Sequence, residues 1–182
     1  ENGFRQIYYA WGGGKNFITD TNYTNGEPAT EGEYITWMGQ SAGGGWQIFL
    51  YHIPTGITTQ LSTSTNNANP KISKGKVVWE GWVDGGWQVF LFDGVKVLQL
   101  TSGDLAINPD IEGDFVAYSR KDISGTYRAV VYSLKKGEAK DVTVGISAKH
   151  PKINGNKILL AGEVFPLTID DLFLLDLVPL TQ

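Results

Sequence analysis

Apolar residues in this chain fall in short, alternating runs bounded by Gly, Pro and Asn, and one such run keeps returning. Trp46-Gln47-Ile48-Phe49-Leu50-Tyr51 reappears as Trp87-Gln88-Val89-Phe90-Leu91-Phe92. Altered copies read Arg5-Gln6-Ile7-Tyr8-Tyr9-Ala10, Tyr127-Arg128-Ala129-Val130-Val131-Tyr132 and Asp170-Asp171-Leu172-Phe173-Leu174-Leu175. A second run precedes four of these five: Tyr34-Ile35-Thr36-Trp37, Lys76-Val77-Val78-Trp79, Phe115-Val116-Ala117-Tyr118 and Ile158-Leu159-Leu160-Ala161. Such runs predict strands, and helix signals are nearly absent.

Ahead of each second-type run stands a proline: Glu27-Pro28, Asn69-Pro70, Asn108-Pro109 and His150-Pro151, at intervals of 42, 39 and 42 residues. That period belongs to propeller arrays. Each unit reads as four strands. In the clearest unit these are Asn69 to Ser73, opened by Pro because a strand start tolerates a missing N–H; Lys76 to Gly81; Trp87 to Phe92 beyond the Asp84-Gly85-Gly86 turn; and a polar outer strand, Lys96 to Thr101. The expected divisions are a half-blade over 1–26 and blades over 27–64, 65–103, 104–145 and 146–182. The half-blade comprises Gln6 to Trp11 and Asn16 to Asp20. The last blade has an atypical turn, Val164 to Thr168, and a fourth strand at Val178 to Gln182.

The fold class is therefore an all-β propeller of four-stranded antiparallel blades, four complete plus a half. Such an array is an irregular five-bladed ring, a fragment of a larger propeller, or a chain that borrows strands. Self-association through the open blade edge is the expected consequence of an incomplete ring.

The Asn-Pro, Gly, apolar strand ending in Trp, Gly-rich turn, Gln-Ile/Val-Phe-Leu and the closing Gln60-Leu61-Ser62 and Gln99-Leu100-Thr101 together resemble TolB-like β-propeller repeats. Where many such repeats carry Ser-Pro-Asp-Gly, this chain has Ser73-Lys74-Gly75, Glu112-Gly113 and Asn154-Gly155, a diverged branch. The resemblance implies the fold. It spans partner-binding modules, peptidase-associated propellers and exported surface proteins, so it leaves function open.

Composition narrows the chemistry. With 15 basic and 19 acidic residues spread over 182 positions, the net charge of -4 offers no basic stripe, and nucleic acid is not an expected partner. Cysteine is absent, excluding disulfides and thiolate chemistry. No run approaches the ~18 apolar residues of a helical membrane span, so membrane insertion is not expected. No leader is visible at Glu1-Asn2-Gly3, which reads as a processed end or a trimmed start, and export to the periplasm, exterior or cell surface is the expected location.

No catalytic, metal or cofactor site emerges. His52 and His150 lack a carboxylate and nucleophile at motif spacing; His52 reads as solvated and His150 as a turn cap. Adjacent Asp170 and Asp171 point to opposite strand faces. The glycine runs Gly12 to Gly14 and Gly43 to Gly45 lack the Lys-Ser/Thr of a phosphate loop and read as hairpin turns. Aromatic surface remains. The recurring Trp37/Trp79 and Trp46/Trp87 read as blade packing, whereas Trp82, aligned with Gln40, and Trp11 are the candidate ligand-binding residues. The expected function is a non-catalytic binding or scaffold module that contacts protein or polysaccharide through blade-edge loops. The alternative is the propeller of an enzyme, either a peptidase gate or a glycan lyase or hydrolase.

Overall fold

A computed structural model describes residues 3–63, 66–143, 147–163 and 170–176. The strands are Tyr8–Trp11 (β1), Gly14–Phe17 (β2), Asn25–Glu31 (β3), Tyr34–Gln40 (β4), Trp46–His52 (β5), Ile57–Gln60 (β6), Asn67–Ser73 (β7), Lys76–Val83 (β8), Gly86–Phe92 (β9), Val97–Gln99 (β10), Ala106–Glu112 (β11), Phe115–Lys121 (β12), Tyr127–Ser133 (β13), Glu138–Asp141 (β14), Ser147–Asn154 (β15), Lys157–Glu163 (β16) and Asp170–Asp176 (β17). They form antiparallel sheets β1-β2, β3-β4-β5-β6, β7-β8-β9-β10, β11-β12-β13-β14 and β15-β16-β17. The Val164 to Thr168 turn and the Val178 to Gln182 strand lie outside the described residues.

The proline does not open its strand as the sequence suggested. β7 begins at Asn67, and its pairing with β8 skips from Ala68 to Lys71; β3, β11 and β15 skip at the same place. The residue before each Pro has positive φ: 52° at Glu27, 53° at Asn69, 55° at Asn108 and 51° at His150. Each strand thus carries a bulge, built from a left-handed residue and a residue with no N–H to donate. Asn and His tolerate that backbone better than most side chains, which explains three of the four residues. Glu27 does not fit that preference. His150 accordingly serves through its backbone, its N–H donating to Ser119 Oγ at 3.1 Å, while its imidazole is exposed.

The closing Gln-Leu-Ser/Thr motif has an equally local cause. Leu61 N–H donates to Ile48 O, and Ser62 Oγ then accepts the N–H of that same Ile48 at 2.9 Å. Leu100 and Thr101 treat Val89 likewise, Ile18 and Thr19 treat Ile7, and Val142 and Thr143 treat Ala129. A hydroxyl therefore substitutes for the last backbone rung, which is why β6 and β10 stop at the Gln. In two blades it also donates to the buried third-strand Gln, Ser62 to Gln47 and Thr101 to Gln88. The correspondence of Ile7, Ile48, Val89 and Ala129 identifies β1 as a third-strand equivalent, so β1-β2 is the outer half of a blade.

Blades pack face to face. Ile48, Leu50 and Leu61 meet Val77 and Trp79; Val78, Val89 and Leu91 meet Val116, Tyr118 and Val130; Ala129 and Val131 meet Ile158 and Leu160. The half-blade joins by Ile7 against Ile35 and Trp37. Polar links accompany each seam. Asn25 N–H donates to Arg5 O and Asn67 Nδ2 to Trp46 O, Glu31 accepts from Lys74 N–H, Ser73 Oγ accepts from Gly113 N–H, and Asp110 accepts from Ile153 N–H.

Candidate functional site

Three of the hairpins joining second and third strands bring an aromatic ring to one rim. Trp46 and Tyr127 open β5 and β13, and Trp87 is the second residue of β9; all three stand two residues before the Ile48, Val89 and Ala129 position in three consecutive blades. All three are half-buried. In the middle blade Trp82 pairs with Trp87 across the hairpin, which turns through two positive-φ residues, Asp84 and Gly85, as a twisted two-residue turn requires. The indoles meet edge to face, centroids 5.4 Å apart, and Trp82 is 39% exposed. In the next blade Lys149 and Lys121 lie over the Tyr127 ring, Nζ 4.6 and 5.5 Å from its centroid. Beside it Arg128 Nε stands 3.4 Å from Asp122. The Ser124 hydroxyl, the Thr126 and Ser124 amides and Arg128 hold the Asp122 carboxyl below the usual range.

Trp82 therefore packs against Trp87, at the rim where Trp46 and Tyr127 also begin their strands. The sequence had assigned Trp46 and Trp87 to packing with Trp37 and Trp79. Their recurrence was visible, but which face each recurrence leaves uncovered was not. Trp37 and Trp79 are the core pair, each 1% exposed.

Trp11 lies elsewhere. It ends β1 at the turn between third and fourth strands, hence at the opposite rim from Trp82, and is 83% exposed. On the same hairpin Phe17 is 66% and Tyr8 50% exposed, with ring centroids 5.7 Å apart and Lys15 Nζ 5.3 Å from the Tyr8 centroid. Tyr8 and Phe17 line a cleft of about 630 Å³ with Phe4, Arg5, Lys15 and Asp20.

A third polar region follows the inner strands. Burial, with Lys152 nearby, holds the Lys71 ammonium below its usual value, against the pull of Asp110, Glu27 and Glu80. Buried Glu80 accepts from Asn108 N–H at 2.6 Å and Asn69 Nδ2 at 2.8 Å, an assignment that joins two blades. No group of three His, Cys, Asp or Glu able to hold a metal occurs among the described residues. His52 stacks on Tyr34 at 4.7 Å and bonds Thr55 Oγ1 at 2.9 Å. No helix of the described residues is long and apolar enough to cross a membrane.

Solved structures share this architecture. TolB from Acinetobacter baumannii superposes with a TM-score of 0.66 over 92% of the chain and 44% of its own, at 17% identity. The fold is that of a TolB-like β-propeller. A putative TolB from Agrobacterium tumefaciens matches at TM-score 0.63 and 11% identity, over 90% of this chain and 80% of that one. A puromycin-hydrolyzing peptidase from Mycobacterium tuberculosis matches at 0.69 and 12% identity, over 91% and 29%. The chain thus spans less than half of the Acinetobacter TolB and under a third of the peptidase. No protein-family model matches this propeller, and no curated protein matches it in sequence.

Proposed function

We propose that this propeller is a non-catalytic binding module of an exported or cell-surface protein, contacting protein or polysaccharide through the rim that carries Trp46, Trp82, Trp87 and Tyr127. The carrying observation is the recurrence of an accessible ring at one position of three consecutive blades. An extended ligand crossing successive blades meets a flat face at each step, and flat faces stack on sugar rings and on proline-rich segments. Lys121 and Lys149 add positive charge over the Tyr127 ring. Likeness to TolB structures supports the exported, non-enzymatic reading, by analogy of fold.

The experiment is a glycan and peptide array read by tryptophan quenching. Saturable quenching that weakens on the order of tenfold in Trp82→Ala supports the rim, as loss of an aromatic anchor would; quenching unchanged in that variant sinks it. The second reading, a propeller attached to an enzyme, is favoured by the likeness to the puromycin-hydrolyzing peptidase. It predicts no array ligand at all, with the rim meeting a catalytic unit instead.

A further inference from the structure

The seam between the Trp79 blade and the Tyr118 blade carries a charge pairing that the preceding seam lacks. One cross-strand pair recurs just below the rim, between second and third strands: Gly39 with Gln47, Gly81 with Gln88, and Arg120 with Arg128. In the first two blades the pair is uncharged, and each Gln accepts from a Ser or Thr hydroxyl of its own blade. In the third, two guanidiniums stand directly opposite each other, an arrangement that costs stability in a sheet. Asp122 answers one of them, its Oδ2 lying 3.4 Å from Arg128 Nε. No carboxylate of the described residues, exposed Asp104 in the adjoining loop included, comes within ion-pair distance of Arg120. Its Nε is buried without a hydrogen-bond partner among those residues. Glu80, lower in the seam, is taken by Asn69 and Asn108. Arg120 is thus a part-buried cation left without an ion-pair partner.

The two guanidiniums and the two rim indoles belong to the same seam. Side chains alternate faces along a strand, so Arg120 shares the face of Val116 and Tyr118, and Arg128 shares that of Val130. That face packs against Val78, Val89 and Leu91 of the preceding blade. By the same alternation Trp82 lies on the face of Val78 and Glu80, and Trp87 on that of Val89. One wall of the seam mouth therefore offers two indoles set edge to face, and the other offers two guanidiniums. We infer that this mouth is a subsite for the uronate unit of an acidic polysaccharide, with Arg120 and Arg128 taking its carboxylate and the corner of Trp82 and Trp87 taking its ring. A guanidinium fork matches the two oxygens of a carboxylate, and an indole matches the apolar face of a sugar ring. A uronate carries both groups on one rigid ring. Trp46 and Tyr127, at the equivalent position of the flanking blades, favour a polymer over a lone carboxylate. Lys121 and Lys149, over the Tyr127 ring, continue the positive charge toward the next seam. The inference rests on the reading of this rim as a binding surface and names what the rim selects.

The probes are polygalacturonate, dextran, dextran sulfate and polyglutamate, titrated into the full chain and followed by tryptophan fluorescence and calorimetry. Polygalacturonate is expected to quench saturably, more tightly than the other three, with an affinity that falls as salt rises. Arg120→Gln and Arg128→Gln are each expected to weaken it on the order of tenfold, the loss of one hydrogen bond to a charged group. Arg120→Lys recovers only part of that loss, because lysine keeps the charge without the fork. Urea unfolding checks each variant; Arg128 is half-buried and pairs only with Asp122, so its variant carries the test if Arg120→Gln perturbs folding. Lys15→Gln, on the opposite rim, is the control that changes nothing. Equal binding of polyglutamate or dextran sulfate overturns the inference in favour of unselective attraction to polyanions, and an affinity unchanged in both Arg→Gln variants overturns it outright. Trp82-dependent quenching on the glycan and peptide array without polygalacturonate binding overturns this inference alone, whereas the absence of any array ligand overturns the rim reading with it.

Discussion

The blade built on Trp79 and the blade built on Tyr118 occupy equivalent places, yet their interiors are assembled from different parts. In the first, buried Asn67 Oδ1 accepts the Trp79 indole N–H at 3.1 Å, and Gly81, paired with Asn67, leaves room for both. A Cβ on Gly81 would lie 2.7 Å from the Phe90 ring and 3.1 Å from Asn67 Oδ1. The Trp37 blade repeats the set with Asn25, Gly39 and Phe49. In the Tyr118 blade the same cross-strand pair is Ala106 and Arg120, and Val130 replaces the Phe. The small residue has changed strands. Without an indole there is no N–H to satisfy, so Asn is dispensable; without Asn and Phe the Gly position is open to a side chain. The substitute is less complete, because Arg120 Nε is buried with no hydrogen-bond partner among the described residues. Burial also pushes the Tyr118 phenol up. Asn, Trp, Gly and Phe therefore behave as one unit, to be exchanged together.

The sharpest way to break this comparison is to place alanine at each blade's equivalent position. Gly81→Ala is expected to lose roughly 1–3 kcal/mol in urea unfolding, since the new Cβ meets a stacked ring and a buried amide. Arg120→Ala removes an unsatisfied buried group and is expected to lose less than Gly81→Ala does. Equal losses would mean that the two interiors are not built differently.

A smaller effect tests the unit itself. Asn67→Ala leaves the Trp79 indole N–H without its acceptor and is expected to cost about 1–3 kcal/mol. Repeated in a Trp79→Phe background, where nothing needs accepting, the loss shrinks by about 1 kcal/mol, the coupling expected of residues in contact. Additive losses in that cycle would dissolve the unit into independent contacts.

The smallest effect lies at the seam between the two blades. Asp114 takes Lys135 at 3.0 Å and Lys76 at 3.3 Å. These side chains hold its carboxyl below the usual range, Lys135 first. Its folded value is thus below its unfolded one, so its stabilisation is present above about pH 4 and is lost as pH falls through the folded value. Asp114→Asn is expected to lower neutral stability by a few tenths of a kcal/mol, as half-exposed pairs do, and to match the parent in acid. A variant deficit that persists at low pH would assign the effect to packing.

What the sequence disclosed and what it concealed divide along a physical line. Strand order, turns and the half-blade follow from periodicities within one chain segment, and Gly-rich hairpins announce themselves by the backbone they require. The bulge at each proline was hidden because a strand start and a strand interior can carry the same Pro, and only ladder partners separate them. The Asn67–Trp79–Gly81 unit was hidden because its members come from different strands. Trp46 and Trp87 recur as Trp37 and Trp79 do, yet they are half-buried where Trp37 and Trp79 are fully buried: recurrence marks equivalent positions without saying how far a neighbouring blade covers them. Trp82 and Trp11 both emerged as irregular aromatics, yet strand direction sets them on opposite rims.

The hydrogen bonds named between blades all join nearest neighbours, from Arg5 with Asn25 to Asp110 with Ile153. Such an array responds to tension plate by plate. Pulled from its ends, it is expected to yield in successive lengths of about forty residues, each releasing on the order of 130 Å of chain.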